Sequence, residues 1–236
     1  MSFNKYINCV DSGIDWIGDI PSNWRVVRLK NAVRDEYKIT YGIVQAGPNH
    51  EGGIPYIRPT DMTDEAGVKS IDDLLRTTPE IAASYSRSEI SFGDIVCSIG
   101  PSFGKVMITP PDLTGANLTQ GTARVSVKSS FVPRYIFWVL RSAPSRNQWE
   151  VSVGGATFRA LNLEPLSETF FAFPQEKKEQ QEIADFLDKE TARIDELIAE
   201  QEKLLELLRE RRSALISAAV TGKIDVRGLV EPKEAA

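Results

Sequence analysis

The sequence predicts an α+β fold, a mixed-sheet domain followed by one long coiled-coil helix, on three observations. Up to Pro174 the chain is a series of short apolar runs cut by Gly, Pro, Asp and Asn, the pattern of strands joined by tight turns. From Ile183 onward apolar residues recur in steps of four and three, the period of a helix that pairs along a seam. The character changes once, at Pro174, which predicts a domain over 1–174, a helix with its C-terminal cap over 175–226 and a disordered tail over 227–236.

In chain order, Ile54-Pro55-Tyr56-Ile57, Asp94-Ile95-Val96-Cys97, Lys105-Val106-Met107-Ile108 and Ala123-Arg124-Val125-Ser126-Val127 read as strands, being apolar and bounded by turn formers. Tyr135 to Leu140 fits either period. Pro133 just before a first turn and Pro144 just after a last one favour a helix there. In the second part, positions 183, 187, 190, 194, 197, 201, 204, 208, 211, 215 and 218 form the seam, and eight of the eleven are apolar. Glu190, Gln201 and Arg211 interrupt it, as polar seam residues do when register and strand orientation must be set.

Glu176 and Glu179 suit the first turn of a helix starting at Gln175, and Gly222 suits the left-handed residue past its end. A helix over 175–219 would run about 67 Å at ~1.5 Å per residue, too long to bury its stripe against its own domain. A partner surface is therefore expected, made of Leu187, Ile194, Leu197, Leu204 and Leu208, with Leu215, Ile216 and Val220 as an apolar cap near the end. A generic coiled-coil rod would share the seam but would not need that cap.

Composition limits the chemistry. With 42% hydrophobic and 26% charged residues the chain has the balance of a soluble globular protein. No apolar run approaches the ~18 residues of a membrane span, and the first residues lead into no apolar signal segment, so the expectation is a cytoplasmic protein without a membrane partner. Cys9 and Cys97 are too few and too far apart for a disulfide framework, and His50 is the single histidine, so plain thiols and no metal site are expected. The net charge is −5, yet residues 117–160 set Arg124, Lys128, Arg134, Arg141, Arg146 and Arg159 against Glu150 alone. That local excess points to nucleic acid although the overall balance does not.

Enzyme motifs fail one by one. Gly100-Pro101-Ser102-Phe103-Gly104-Lys105-Val106 is one residue short of a phosphate-binding loop and offers Val106 where a hydroxyl should bind magnesium. Thr109-Pro110-Pro111-Asp112 lacks both flanking residues of the adenine-methyltransferase motif, and no glycine loop for S-adenosylmethionine appears. The expectation is a non-catalytic chain with no cofactor of its own, its Gly/Pro stretches serving as turns.

The stretch Phe173-Pro174, Glu179-Gln180, Ile183-Ala184, Phe186-Leu187-Asp188, Ile194, Leu197-Ile198, Arg211, Ala214-Leu215-Ile216 and Ala219-Val220-Thr221-Gly222-Lys223-Ile224-Asp225 resembles the spacer helix of specificity (S) subunits of type I restriction-modification systems. Asp11-Ser12-Gly13-Ile14-Asp15-Trp16-Ile17-Gly18-Asp19-Ile20-Pro21 with Trp24 is similar to the lead-in of that family's target recognition domain. Between them Tyr56-Ile57-Arg58 with Asp61, Gly93-Asp94-Ile95, Gly104-Lys105-Val106 and Gly154-Gly155-Ala156 with Leu161 also fit. Thr119 departs from the Asn common in the family, and the start of the helix is less rich in proline and acid. Family members usually carry two recognition domains and two helices, so this chain resembles half a subunit.

The resemblance implies a DNA-reading role, with duplex DNA, modification (methyltransferase) subunits and a second copy of the chain as partners. It implies S-adenosylmethionine in the modification subunit, and it leaves open a restriction/translocase subunit. Polar residues on the expected loops are the candidates for DNA contact: Arg58, Thr60, Ser102, Lys105, Gln120, Thr122, Thr157 and Arg159. The Thr and Ser members suit turn capping equally well. The competing class is a coiled-coil assembly adaptor whose head binds protein.

Overall fold

The computed structural model describes residues 5–63, 67–154 and 159–229. The chain divides into two compact units, Met1–Asp185 and Phe186–Ala236. The first therefore continues past the Pro174 boundary read from the sequence and takes in the opening turns of the long helix.

Strands β1 (Cys9–Asp11) and β2 (Asp19–Pro21) form an antiparallel hairpin at the start of the first unit. Then follow β3 (Trp24–Arg28), the short α1 (Leu29–Ala32), β4 (Thr40–Tyr41), β5 (Ile54–Ile57) and β6 (Arg76–Thr77). Helix α2 (Pro79–Ser84) begins where its sequence says a helix should. Pro79 occupies the first turn, Glu80 complements the N-terminal dipole, and the Thr78 hydroxyl accepts a bond from the Ile81 amide at 3.3 Å. Strands β7 (Ile95–Ser98), β8 (Val106–Ile108), β9 (Asn117–Leu118) and β10 (Thr122–Val125) come next, then α3 (Pro133–Arg141), α4 (Ala143–Ser152), α5 (Leu163–Ser167), β11 (Phe170–Pro174) and α6 (Lys177–Val220).

The main sheet has the order β4-β10-β7-β8, all antiparallel. Every residue of β7 is buried because the strand is central and covered on both faces. Ile95 and Cys97 enter one core with Ala123, Val125 and Val106, whereas Val96 enters a second with Met107, Ile57 and Leu118. The period-two alternation of a strand thus joins two clusters through one backbone. The second cluster belongs to the small sheet β6-β5-β9, in which β5 and β9 run parallel. The first extends to α3, α4 and the β11-β3 pair through Tyr135, Phe137, Trp149 and Phe171. The Trp149 indole N–H, deep in that core, donates to the Thr169 hydroxyl at 2.8 Å, as a buried indole must.

The strands expected at 54–57, 94–97 and 105–108 form within a residue of their expected ends, and the last forms over Thr122–Val125. The 135–140 stretch is helical, as its flanking prolines suggested. Pro144 lies just past the end of that helix, as expected, and it also opens the first turn of a further helix, α4. That helix went unseen because its apolar residues are few, and it is held by Trp149 rather than by a stripe. The expected helix over 175–219 is observed over Lys177–Val220. Of the expected tail, residues 230–236 lie outside the described residues.

The opening of α6 is locked into the first unit. Gln180 is fully buried, its side-chain carbonyl accepting from the Val132 amide and its NH₂ donating to the Pro174 carbonyl, each at 2.9 Å. Glu179 accepts from the Tyr6 hydroxyl at 3.1 Å and from the Trp24 indole at 2.9 Å. At the other end Gly222 adopts φ +70°, the Lys223 amide donates to Ala218 at 2.8 Å and the Gly222 amide to Ala219 at 3.2 Å. These two bonds close the helix as a Schellman motif.

Candidate nucleic-acid interface

Sheet pairing brings three separate loops together. Because β5 and β9 are parallel neighbours, their C-terminal ends point the same way and deliver residues 58–60 and 119–121 side by side. Strand β10 starts directly after the second loop and pairs with β7 so that Thr122 faces Ser98, which adds the loop at 99–104. The Gly121 carbonyl accepts from the amides of Ile99 at 2.8 Å and Gly100 at 3.2 Å, stitching the second loop to the third.

Arg58, Thr60, Ser102 and Gln120 line one shallow depression, together with Val44 and Pro101. A neighbouring depression is lined by Tyr41, Gly100, Leu161 and Asn162, and the two meet at Pro101, Gln120 and Gly121. No Asp or Glu lines either depression among the described residues. Depressions lined by a guanidinium, two hydroxyls and an amide, with the carboxylate of Asp61 set behind the guanidinium, can donate to or accept from phosphates and base edges.

Arg58 is held in place rather than left to sweep. Its Nε and Nη2 donate to the two Asp61 carboxylate oxygens at 2.9 and 2.7 Å, and its backbone amide donates to Asp61 at 2.8 Å. The Asp61 carboxylate bonded to the fork raises the guanidinium pKa further above its ordinary value. The paired edge fixes the orientation, and the Nη1 side remains to meet a partner.

Thr60, Ser102 and Gln120 are exposed. Lys105 instead turns under the first loop, its Nζ donating to the carbonyls of Met62 at 2.8 Å and Pro59 at 3.4 Å. Thr122 is fully buried, with its hydroxyl 3.1 Å from the Ile57 carbonyl and 3.1 Å from the Thr119 amide. Both side chains build the loops from below. Arg159 is exposed, paired with Glu150, and its guanidinium carbon lies 6.0 Å from the centre of the Phe103 ring on the third loop. Thr157 lies outside the described residues.

The cations of 117–160 are not all free at the surface. Arg124 is buried under Tyr37, its guanidinium carbon 4.6 Å from the ring centre; one nitrogen donates to the Glu89 carbonyl and its Nε has no partner among the described residues. Burial lowers its pKa from the ordinary arginine value. Arg134 and Arg141 lie over Phe137 and Trp138, and Lys128 pairs with Asp35 at 2.9 Å. Charge summed along a segment therefore overstated charge on one surface. Conversely, half-exposed Val44 joins the site from the loop after β4, and no sequence signal marks it.

In the second unit, Ile194, Leu197, Leu204, Leu208, Leu215, Ile216 and Val220 are all exposed along α6, about half or more of each side chain being open. Among the described residues no group of three or more His, Cys, Asp or Glu could hold a metal ion, and no helix is long and apolar enough to cross a membrane.

Residues 21–207 match the family model of the type I restriction modification DNA specificity domain. The chain is 25% identical over 213 residues to the type I restriction enzyme EcoBI specificity subunit of Escherichia coli, covering 90% of this chain and 44% of that protein. It is 26% identical over 195 residues to the type I restriction enzyme MjaIX specificity subunit of Methanocaldococcus jannaschii, covering 81% and 42% respectively. The chain thus spans about half the length of the curated relatives it matches. In fold it is similar to a chain from a solved structure described as the structural basis of complex assembly and conformational transition of the type I R-M system, with a TM-score of 0.65 at 21% identity, covering 86% of this chain and 47% of that one. It is also similar to the HsdS subunit of Thermoanaerobacter tengcongensis, with a TM-score of 0.58 at 19% identity, covering 90% and 52%.

Proposed function

Because the chain belongs to the family of type I restriction-modification DNA specificity domains, we propose that it is the non-catalytic sequence reader of a DNA methyltransferase complex, acting as one half of a two-fold reader. The observation that supports this most directly is the meeting of three loops, at 58–60, 99–104 and 119–121, around two depressions that no Asp or Glu lines among the described residues.

On this reading Arg58, Thr60, Ser102 and Gln120 face the bases, Arg159 stands at the margin, and Lys105 and Thr122 hold the loops in shape. Modification subunits bring S-adenosylmethionine and the chemistry. The exposed stripe of α6 pairs with a second copy in antiparallel fashion, sending the two readers to opposite ends. The cap formed by Leu215, Ile216 and Val220 then closes on the partner subunit. Two identical readers related by a dyad call for a palindromic target in two halves with an unread gap.

The test is salt-dependent duplex binding by the chain with its modification subunit, together with single-molecule mapping of methylated adenines. A steep fall of affinity with salt and a symmetric split target are expected. Affinity for no duplex at any salt would leave the adaptor reading, in which the head binds protein. An asymmetric target would overturn the two-fold reader.

A further inference from the structure

The polar interruptions of the α6 seam are arranged about a centre. Glu190 stands eleven residues before Gln201 and Arg211 ten residues after it. The apolar seam positions nearly repeat the symmetry: Leu197 and Leu204 flank Gln201 at four and three residues, Ile194 and Leu208 at seven, Leu187 and Leu215 at fourteen. A seam that reads nearly alike in both directions, with an acid on one arm and a base on the other, suits a partner that runs the opposite way.

Resting on the two-fold reading above, we infer that a second copy of this chain packs antiparallel along α6 with the dyad at Gln201, so that Glu190 of each copy meets Arg211 of the partner subunit. A displacement of the dyad by one residue either way shifts the facing position by two and still keeps the pair within one helical turn, within reach of two long side chains. A parallel pair in register would instead set Glu190 against Glu190 and Arg211 against Arg211, like charges inside the seam.

The central residue suits the axis. A side chain on a two-fold axis meets its own copy, so it must donate and accept at once. The glutamine amide does both, whereas a Glu or Lys in that place would meet only its own charge. Glu190 and Arg211 are available for the exchange: Glu190 has only a loose contact with Arg193, at 3.9 Å, and Arg211 is exposed. The register also sets the reach of the assembly. With the dyad at Gln201, the two copies of Phe186 stand about 45 Å apart along the axis, and a slip of one heptad changes that by about 10 Å.

The test combines charge exchange with a direct distance. Glu190→Arg and Arg211→Glu, made separately in the full chain, should each weaken the dimer roughly tenfold in sedimentation, since each turns two attractions into two repulsions. The double variant, with the wild-type composition, should restore it. In a Cys9→Ser background, spin labels at positions 195, 202 and 212 should give intermolecular distances that are shortest at 202 and longest at 212. Equal distances at all three sites would indicate a parallel pair and overturn the proposal. So would a stable dimer indifferent to both single substitutions, although the two-fold reading would survive that result. A wild-type chain that stays monomeric with its modification subunit would remove that reading, and this inference with it.

Discussion

Pro59 packs directly on Gly121: a Cβ added to Gly121 would lie 2.6 Å from Pro59 Cγ and 3.0 Å from its Cδ. The first and second loops of the candidate interface touch here, and only a residue without a side chain lets them approach. Gly121→Ala is expected to push residues 58–60 away from 119–121 and to cost about 1–3 kcal/mol of stability, the usual effect of overpacking. Thermal unfolding reads the cost, and duplex binding should fall further than stability alone explains. A variant that keeps both unchanged would show that the loops tolerate separation.

Arg58 and Asp61 should act as one unit in reading DNA. Arg58→Ala is expected to cost about 1–3 kcal/mol at one base position and to relax preference there. Asp61→Ala should relax the same position by less, because it removes the orienting bonds and not the donor. A double-mutant cycle on binding to matched and mismatched duplexes checks this, and additive losses would speak against a shared role.

Lys105 and Gln120 should separate by assay. Lys105→Met keeps the aliphatic stem but leaves the Met62 and Pro59 carbonyls without their donor, for an expected loss of about 1–2 kcal/mol in unfolding free energy. Its effect on binding should fall on all duplexes alike. Gln120→Ala, on an exposed loop, should leave the melting temperature in place and alter binding only.

The two thiols should differ sharply. Cys9 is exposed, whereas Cys97 is buried in β7 and burial pushes its pKa up from 9.0 to about 12. Alkylation at pH 8 should modify Cys9 quickly and Cys97 only as the chain unfolds. The unfolded thiol ionises near its ordinary value while the folded one keeps its proton. The stabilising contribution is therefore fully present below pH 9 and is lost between 9 and about 12, at up to about 1.4 kcal/mol per pH unit. Denaturant titrations of wild type and Cys97→Ala across that range give the comparison; parallel curves would refute it.

The exposed seam should matter to association and not to folding of the recognition unit. Leu204→Asp with Leu208→Asp is expected to abolish the dimer in sedimentation while leaving the unfolding of the first unit unchanged. These side chains are open in the single chain, so their loss removes contacts with a partner rather than core.

The elements legible before folding are those specified by patterns over a few neighbouring residues. The 54–57 and 94–97 runs became strands because alternating or continuous apolar residues suit a pleated backbone buried on one or both faces. The long helix and its stop at Gly222 were readable because period and cap are both local. The apolar seam left without a cover was readable too, since a rod of that length cannot bury its own stripe. Which side of each loop faces out depends instead on contacts between distant strands. Lys105 and Gln120 are both polar loop residues, yet one supports a turn and the other lines the depression. Arg124 counted as a surface cation until the crossing of β10 under Tyr37 buried it. Val44 gained a place at the site because the neighbouring Ile43 bridges Thr119 on the second loop, a pairing between residues far apart in sequence. Local periodicity specifies an element's own geometry, whereas the direction a loop side chain faces depends on which distant strand lies beside it, and a short window of residues carries no record of that neighbour.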